Sequence, residues 1–168
     1  MSATAEATKD SGTAPCTGEL CWLLSRASHV LTTELTAALE GVGISPRAHS
    51  VLAAAMTGEH TQIELARMVG LDKTTMVVTL DELQDAGLAE RRPSATDRRA
   101  RVIAVTAAGK RKARQAEQVT ARVRDDVLGT LPEADRQVFV EGLRRLVDER
   151  LTKPVQCSQP VRRPAARS

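Results

Sequence analysis

Thr61 to Val105, TQIELARMVGLDKTTMVVTLDELQDAGLAERRPSATDRRARVIAV, holds two short helical patterns and two strand-like runs with a basic loop between them. Thr61 and Glu64 have capping-box spacing: the hydroxyl takes a backbone N–H of the first turn and the carboxylate reaches back to the cap N–H, so a helix starts here. Four residues apart, Ala66 and Gly70 supply a small residue where a second helix passes closely and a flexible one where the chain turns. Asp72 caps the next helix, expected over Lys73 to Ala86, and Met76, Leu80 and Leu83 share one stripe that is predicted to be buried. Lys73, Thr74, Val77 and Val78 are left facing outward, with Thr75 beside them.

Gly87 ends that helix, and Leu88 to Arg92 and Arg101 to Val105 read as two strands of a hairpin around PSATDRRA. A helix-turn-helix followed by such a hairpin is a winged helix. An outward pair of valines beside threonines and a lysine suits a major groove, where apolar groups touch thymine methyls and hydroxyls meet base edges or phosphates. From Glu90 to Arg114 nine basic residues stand against Glu90 and Asp97, a local balance of +7 in a chain of net charge +3. That concentration, with Arg98, Arg99 and Arg101 at the hairpin, is the footprint of phosphate and minor-groove contacts. The alternatives are an ordinary exposed helix with a solvated charge run, or a helical interaction module whose basic hairpin binds an acidic partner.

The segment LDKTTMVVTLDELQDAGLAERRPSATDRRARVIAVTAAG, Leu71 to Gly109, resembles the recognition helix and wing of MarR-type regulators. It includes the D-x-R of the wing at Asp97 and Arg99 and the V-x-x-x-T-x-x-G exit from Val102 to Gly109. A weaker likeness runs over about Gly18 to Leu151. The resemblance implies a homodimeric repressor on double-stranded DNA with a pseudo-palindromic operator, Arg99 inserted in the minor groove and Asp97 orienting it. The sequence departs from the family where Val78 stands, a position often held by arginine, which leaves the base readout unusually apolar.

Outside this stretch the expected fold is mostly α with a small β-hairpin wing, a winged helix-turn-helix domain joined to a helical dimerisation region. Glu19 to Leu39 has apolar residues at spacings of three and four. Ser45 as cap and Pro46 at the first position open a helix to about Thr57. Thr106 caps a long helix to about Leu128 with a narrow seam of Ala113, Ala116, Val119, Val123 and Val127. Pro132 opens a last helix with Val138, Leu143, Leu146, Val147 and Leu151 on one side. Faces this narrow are expected to pack with a second copy and with the first helix. The domain boundaries are 45–105 for DNA binding and 18–44 with 106–151 for dimerisation. Residues 1–17 and the basic 152–168 are expected to be disordered tails.

Trp22 and Phe139 are the only aromatics, so Leu, Val, Ala and Met must form the core. No apolar run approaches the roughly 20 residues of a membrane span, and the start lacks the apolar stretch of a signal peptide, so a cytoplasmic protein without a membrane partner is expected. Motifs for nucleophilic, metal-dependent or nucleotide chemistry are missing, so neither an enzyme nor a cofactor is expected. Cys16, Cys21 and Cys157 are an odd count at irregular spacing, which suggests neither a disulfide framework nor a zinc site. His29, His49 and His60 lack tight ligand spacing.

Two inputs for a signal are visible. Trp22, Arg26 and His29 lie at i, i+4 and i+7, an aromatic plate, a guanidinium and an imidazole for a small aromatic acid, with Arg47 and His49 expected as the opposite wall. A core Trp22, a salt-bridged Arg26 and a satisfied His29 are the structural alternative. Cys21 lies in the first turns of its helix, where the helix dipole favours thiolate, and Cys16 is a candidate to resolve it. GELCWLL is similar to the sensing-cysteine segment of peroxide-responsive MarR proteins, although the tyrosines that accompany that cysteine are missing from a chain without tyrosine.

Overall fold

The computed structural model describes residues 18–95 and 99–152; both expected tails, apart from Thr152 at the start of the second, and wing residues Thr96, Asp97 and Arg98 lie outside that range. Its helices are α1 (Glu19–Leu39), α2 (Pro46–Ala55), α3 (Gln62–Val69), α4 (Lys73–Asp85), α5 (Ala107–Gly129) and α6 (Glu133–Arg145). Between α4 and α5 runs an antiparallel hairpin of β1 (Ala89–Pro93) and β2 (Arg101–Val105), with Ala89 opposite Val105 and Pro93 opposite Arg101. The architecture is mostly α with one small wing, as expected.

Local chemistry sets most boundaries. Ser45 accepts the Ala48 N–H at 3.1 Å and Pro46 occupies the first turn of α2. The helix stops short of the expected Thr57 because the Thr57 N–H and hydroxyl both turn back to the Ala54 carbonyl. Thr61 and Glu64 form both arms of the capping box that starts α3. Gly70 and Gly87 adopt left-handed conformations after α3 and α4, with φ of 70° and 67°, where a Cβ would be strained. Past Gly87 the Leu88 N–H bonds to the Leu83 carbonyl at 2.8 Å, closing a Schellman-type end. That use of Leu88 moves β1 one residue later than expected.

The core of the winged helix gathers Leu52 of α2, Leu65 of α3, Met76, Leu80 and Leu83 of α4, and Ile103 of β2, each at most 3% exposed. The open side of β2 is joined by a bridge between Thr61 and Val102 and by the Ile103 N–H on the His60 carbonyl at 2.9 Å. Thr106 donates to the Gly87 carbonyl at 2.8 Å and caps α5 by accepting the Gly109 N–H at 3.0 Å. Lys112 Nζ donates to the Val42 carbonyl at 2.7 Å and ties α5 to the turn before α2.

The chain divides into two compact units, Met1–Val123 and Arg124–Ser168, with α5 crossing the boundary. In the second, Arg136 donates to the Leu131 carbonyl at 3.1 Å, closing the turn into α6. Glu133 and Asp135 in the first turn of α6 and Arg144 and Arg145 in the last complement its dipole. Among the described residues no helix is long and apolar enough to cross a membrane.

Candidate nucleic-acid interface

The second helix of the turn, α4, is held at its start by Asp72. Its carboxylate accepts the Thr75 hydroxyl and, at 3.0 Å, the Thr75 N–H, and these bonds hold the Asp72 carboxyl below its ordinary pKa. Met76, Thr79, Leu80 and Leu83 face inward, and the Thr79 hydroxyl is satisfied by the Thr75 carbonyl at 2.8 Å. Lys73, Thr74 and Val78 face outward, Val78 being 53% exposed. Val77 departs from expectation: it lies about 100° around the helix from Met76, at the edge of the buried stripe, and is half-buried. Thr75 is half-buried on the other flank, its hydroxyl proton engaged by Asp72.

Arg47 and His49 do not form one wall. Two residues apart on α2, they point about 200° away from each other. Arg47 is exposed and lines an open groove of about 320 Å³ with Ser45, Thr74, Thr75, Val78 and Glu82, on the outward side of α4. His49 is 8% exposed, and its Nε2 lies 3.5 Å from Glu117 Oε2 on α5.

In the wing, Arg91 donates to Asp81 Oδ1 at 3.0 Å and to Gln84, which fastens β1 to α4. Arg92 pairs with Glu90 at 2.7 Å. Two cations of the charge run therefore act within the hairpin and its neighbour. Arg99 and Arg101 are exposed to solvent, while Asp97 and Arg98 fall outside the described residues. A contact with no signature in the sequence joins Glu59, in the loop before α3, to the wing. Its carboxylate accepts the Ser94 hydroxyl at 2.9 Å and the Ala95 N–H at 3.2 Å, across 35 and 36 residues.

On α1, Arg26 lies over the Trp22 ring, 5.6 Å from its centroid. His29 lies farther along, in an open cleft of about 760 Å³ with Thr32, Thr33, Thr36, Glu40 and Ile44, whose lining includes neither Trp22 nor Arg26. The three residues thus share a side of the helix without sharing a cavity. Cys21 is exposed, and Cys16 lies outside the described residues. Among the described residues no three His, Cys, Asp or Glu side chains gather as metal ligands do.

Residues 42–100 match the MarR family. CouR from Rhodococcus jostii RHA1, solved bound to p-coumaroyl-CoA, is similar at 25% identity and a TM-score of 0.72, over 85% of this chain and 100% of that one. A MarR family transcriptional regulator from Rhodococcus sp. RHA1 is similar at 25% identity and a TM-score of 0.71, over 77% of this chain and 94% of that one. A Mycobacterium tuberculosis MarR family protein in complex with p-aminosalicylic acid is similar at 28% identity and a TM-score of 0.64, over 77% and 98%. The match spans α2, the helix-turn-helix and the first arm of the wing, and the likeness to solved regulators continues into the flanking helices: residues 42–100 are a MarR-family winged-helix region, in a chain similar over most of its length to MarR-family transcriptional regulators.

Proposed function

We propose that the protein is a cytoplasmic homodimeric repressor that covers a pseudo-palindromic operator until a small aromatic acid loosens its hold. The observation that carries the DNA contacts is the outward side of α4. Lys73, Thr74 and Val78 stand beside the groove that holds Arg47, and the hairpin carrying Arg99 and Arg101 follows directly. In this reading residues 45–105 bind DNA and residues 18–44 with 106–151 pair the two copies. Lys73, Thr74, Thr75, Val77 and Val78 work in the major groove, Val78 on a thymine methyl. Arg99, oriented by Asp97, enters the minor groove, and Arg98 and Arg101 meet phosphate. Arg47, first expected at an effector site, joins the phosphate contacts.

For the effector, two relatives are solved with p-coumaroyl-CoA and p-aminosalicylic acid, both aryl ligands. Trp22 and Arg26 offer a ring to stack on and a guanidinium for a carboxylate, with His29 on the same side of α1. Oxidation of exposed Cys21 is the other route, favoured by its accessibility.

Footprinting on the DNA flanking the gene tests the DNA-binding function. The expected result is a protected inverted repeat with half-sites about one helical turn apart, and a loss of roughly 1 to 3 kcal/mol of operator binding for folded Arg99→Ala. Salt-sensitive binding without a protected sequence, or equal affinity of the variant, rejects it.

A further inference from the structure

We propose that Glu59 is a positioning residue for the wing, whose carboxylate fixes the base of the hairpin loop and so sets where Arg99 meets DNA; this rests on the DNA-binding function proposed above. The loop leaves β1 at Pro93, and the Ser94 N–H bonds across the hairpin to the Ala100 carbonyl at 3.0 Å. Bonds of that kind tie one arm of the hairpin to the other, while Arg91 on Asp81 and the pairing of Val102 and Ile103 with Thr61 and His60 hold the strands to the helical side and stop short of the loop. Glu59 holds the loop end. It sits between α2 and α3, on the helical side, and takes both the Ser94 hydroxyl and the Ala95 N–H. A carboxylate acceptor makes both bonds stronger than neutral ones. Ser94 is 7% exposed, so a lost partner there costs more than it would at a solvated serine.

Charge sharpens the inference. An acid next to a loop that approaches phosphates repels DNA, so electrostatics alone would have Glu59 weaken binding. A net benefit from this carboxylate must come from order: a wing already held at its base loses less freedom when DNA binds.

The test uses the full chain, the footprinted operator, and affinities measured over a range of salt concentrations, with thermal melts alongside. E59A is expected to bind about tenfold more weakly, the loss typical of one charge-assisted bond. Its log affinity should also fall less steeply with log salt, because the wing cations no longer reach phosphate. E59Q keeps a carbonyl acceptor and should recover most of the affinity. In an R99A background E59A should cost little more, since the two act through one wing. Wild-type or tighter binding by E59A, as deletion of a repelling charge predicts, overturns the proposal, as does a loss with unchanged salt slope. If E59A melts early, S94A removes the bond from the other side and must show the same weaker binding and shallower slope. R99A that binds as wild type defeats the DNA-binding function and this proposal together, whereas weakened R99A with unchanged E59A defeats the role of Glu59 alone.

Discussion

Gly109 sits in the first turn of α5, where a Cβ would lie 2.8 Å from Val105 Cγ1 and closer still to the Leu88 carbonyl oxygen. Two effects of Gly109→Ala therefore oppose each other. Alanine in a helix gains about 1 kcal/mol over glycine, whereas forcing an extra carbon into a packed site costs roughly 1 to 3 kcal/mol. Here the obstruction includes backbone at the end of α4, already fixed by Thr106 on the Gly87 carbonyl, so it cannot swing aside as a side chain would. The overlap should win, and urea denaturation should show a less stable variant. A more stable Gly109→Ala would mean that α5 does not pass Leu88 this closely. The same scale exposes what spacing leaves open. Glycine at the end of a T-x-x-G exit is visible in the sequence, but the carbonyl it must clear lies 21 residues earlier and becomes visible only when the hairpin folds back.

At the scale of elements, α3 and α4 both begin on a carboxylate. Glu64 is held below its ordinary pKa of 4.5, first by the Thr61 backbone N–H and then by the Thr61 hydroxyl; Asp72 is held below 3.8, first by the Thr75 hydroxyl and then by the Thr75 N–H. A depressed pKa in the folded state means that each cap contributes fully above its ordinary value and is lost as the pH falls through the lowered one. Stability should decline on the acid side of about pH 4.5, and the decline should be shallower in Glu64→Gln/Asp72→Asn. Denaturation midpoints between neutral and acid pH read this directly, and parallel curves would remove the caps from the acid response. These caps were legible because their partners lie three residues apart, and so were Pro46, Gly70 and Gly87 at helix ends. The inward stripe of α4 was legible too, since period alone separates Met76, Leu80 and Leu83 from Val78. Period does not resolve a flank, so it puts Val77 farther out than the structure does. Nor does it say which helix a side chain will meet, so it groups Arg47 with His49 although one lies beside α4 and the other against α5. Glu59 and Arg91 stayed hidden for a related reason, as their partners are fixed by tertiary approach rather than by spacing.

For the whole molecule, the proposed function places the signal on a pair of copies. In α1, Leu20 is 60% and Leu23 47% exposed; in the second unit, Val138 is 70% and Phe139 53% exposed. Apolar surface of this extent on both units supports burial by a second chain. An effector shifts such a dimer off DNA only by binding the released form more tightly than the operator-bound form. The two candidate inputs on α1 differ in what they require. An aryl acid needs the Arg26 guanidinium for its carboxylate and gains the Trp22 face for its ring, so Arg26→Ala should bind operator yet ignore phenolic acids, while Cys21→Ser responds as wild type. Oxidation needs a thiol, so under that input Cys21→Ser becomes deaf to hydroperoxide and Arg26→Ala still lets go. The aryl acid is the stronger candidate, because the stacked pair already presents both groups such a ligand needs, whereas Cys21 has no tyrosine to accompany it in a chain with none. Operator release measured for the wild type and both variants, titrated with phenolic acids and with a hydroperoxide, decides between them. Release of both variants by every compound that releases the wild type would remove the signal from Trp22, Arg26 and Cys21 altogether. The His29 cleft between α1 and the turn into α2 would then become the next place to mutate, beginning with Thr33→Val and His29→Ala.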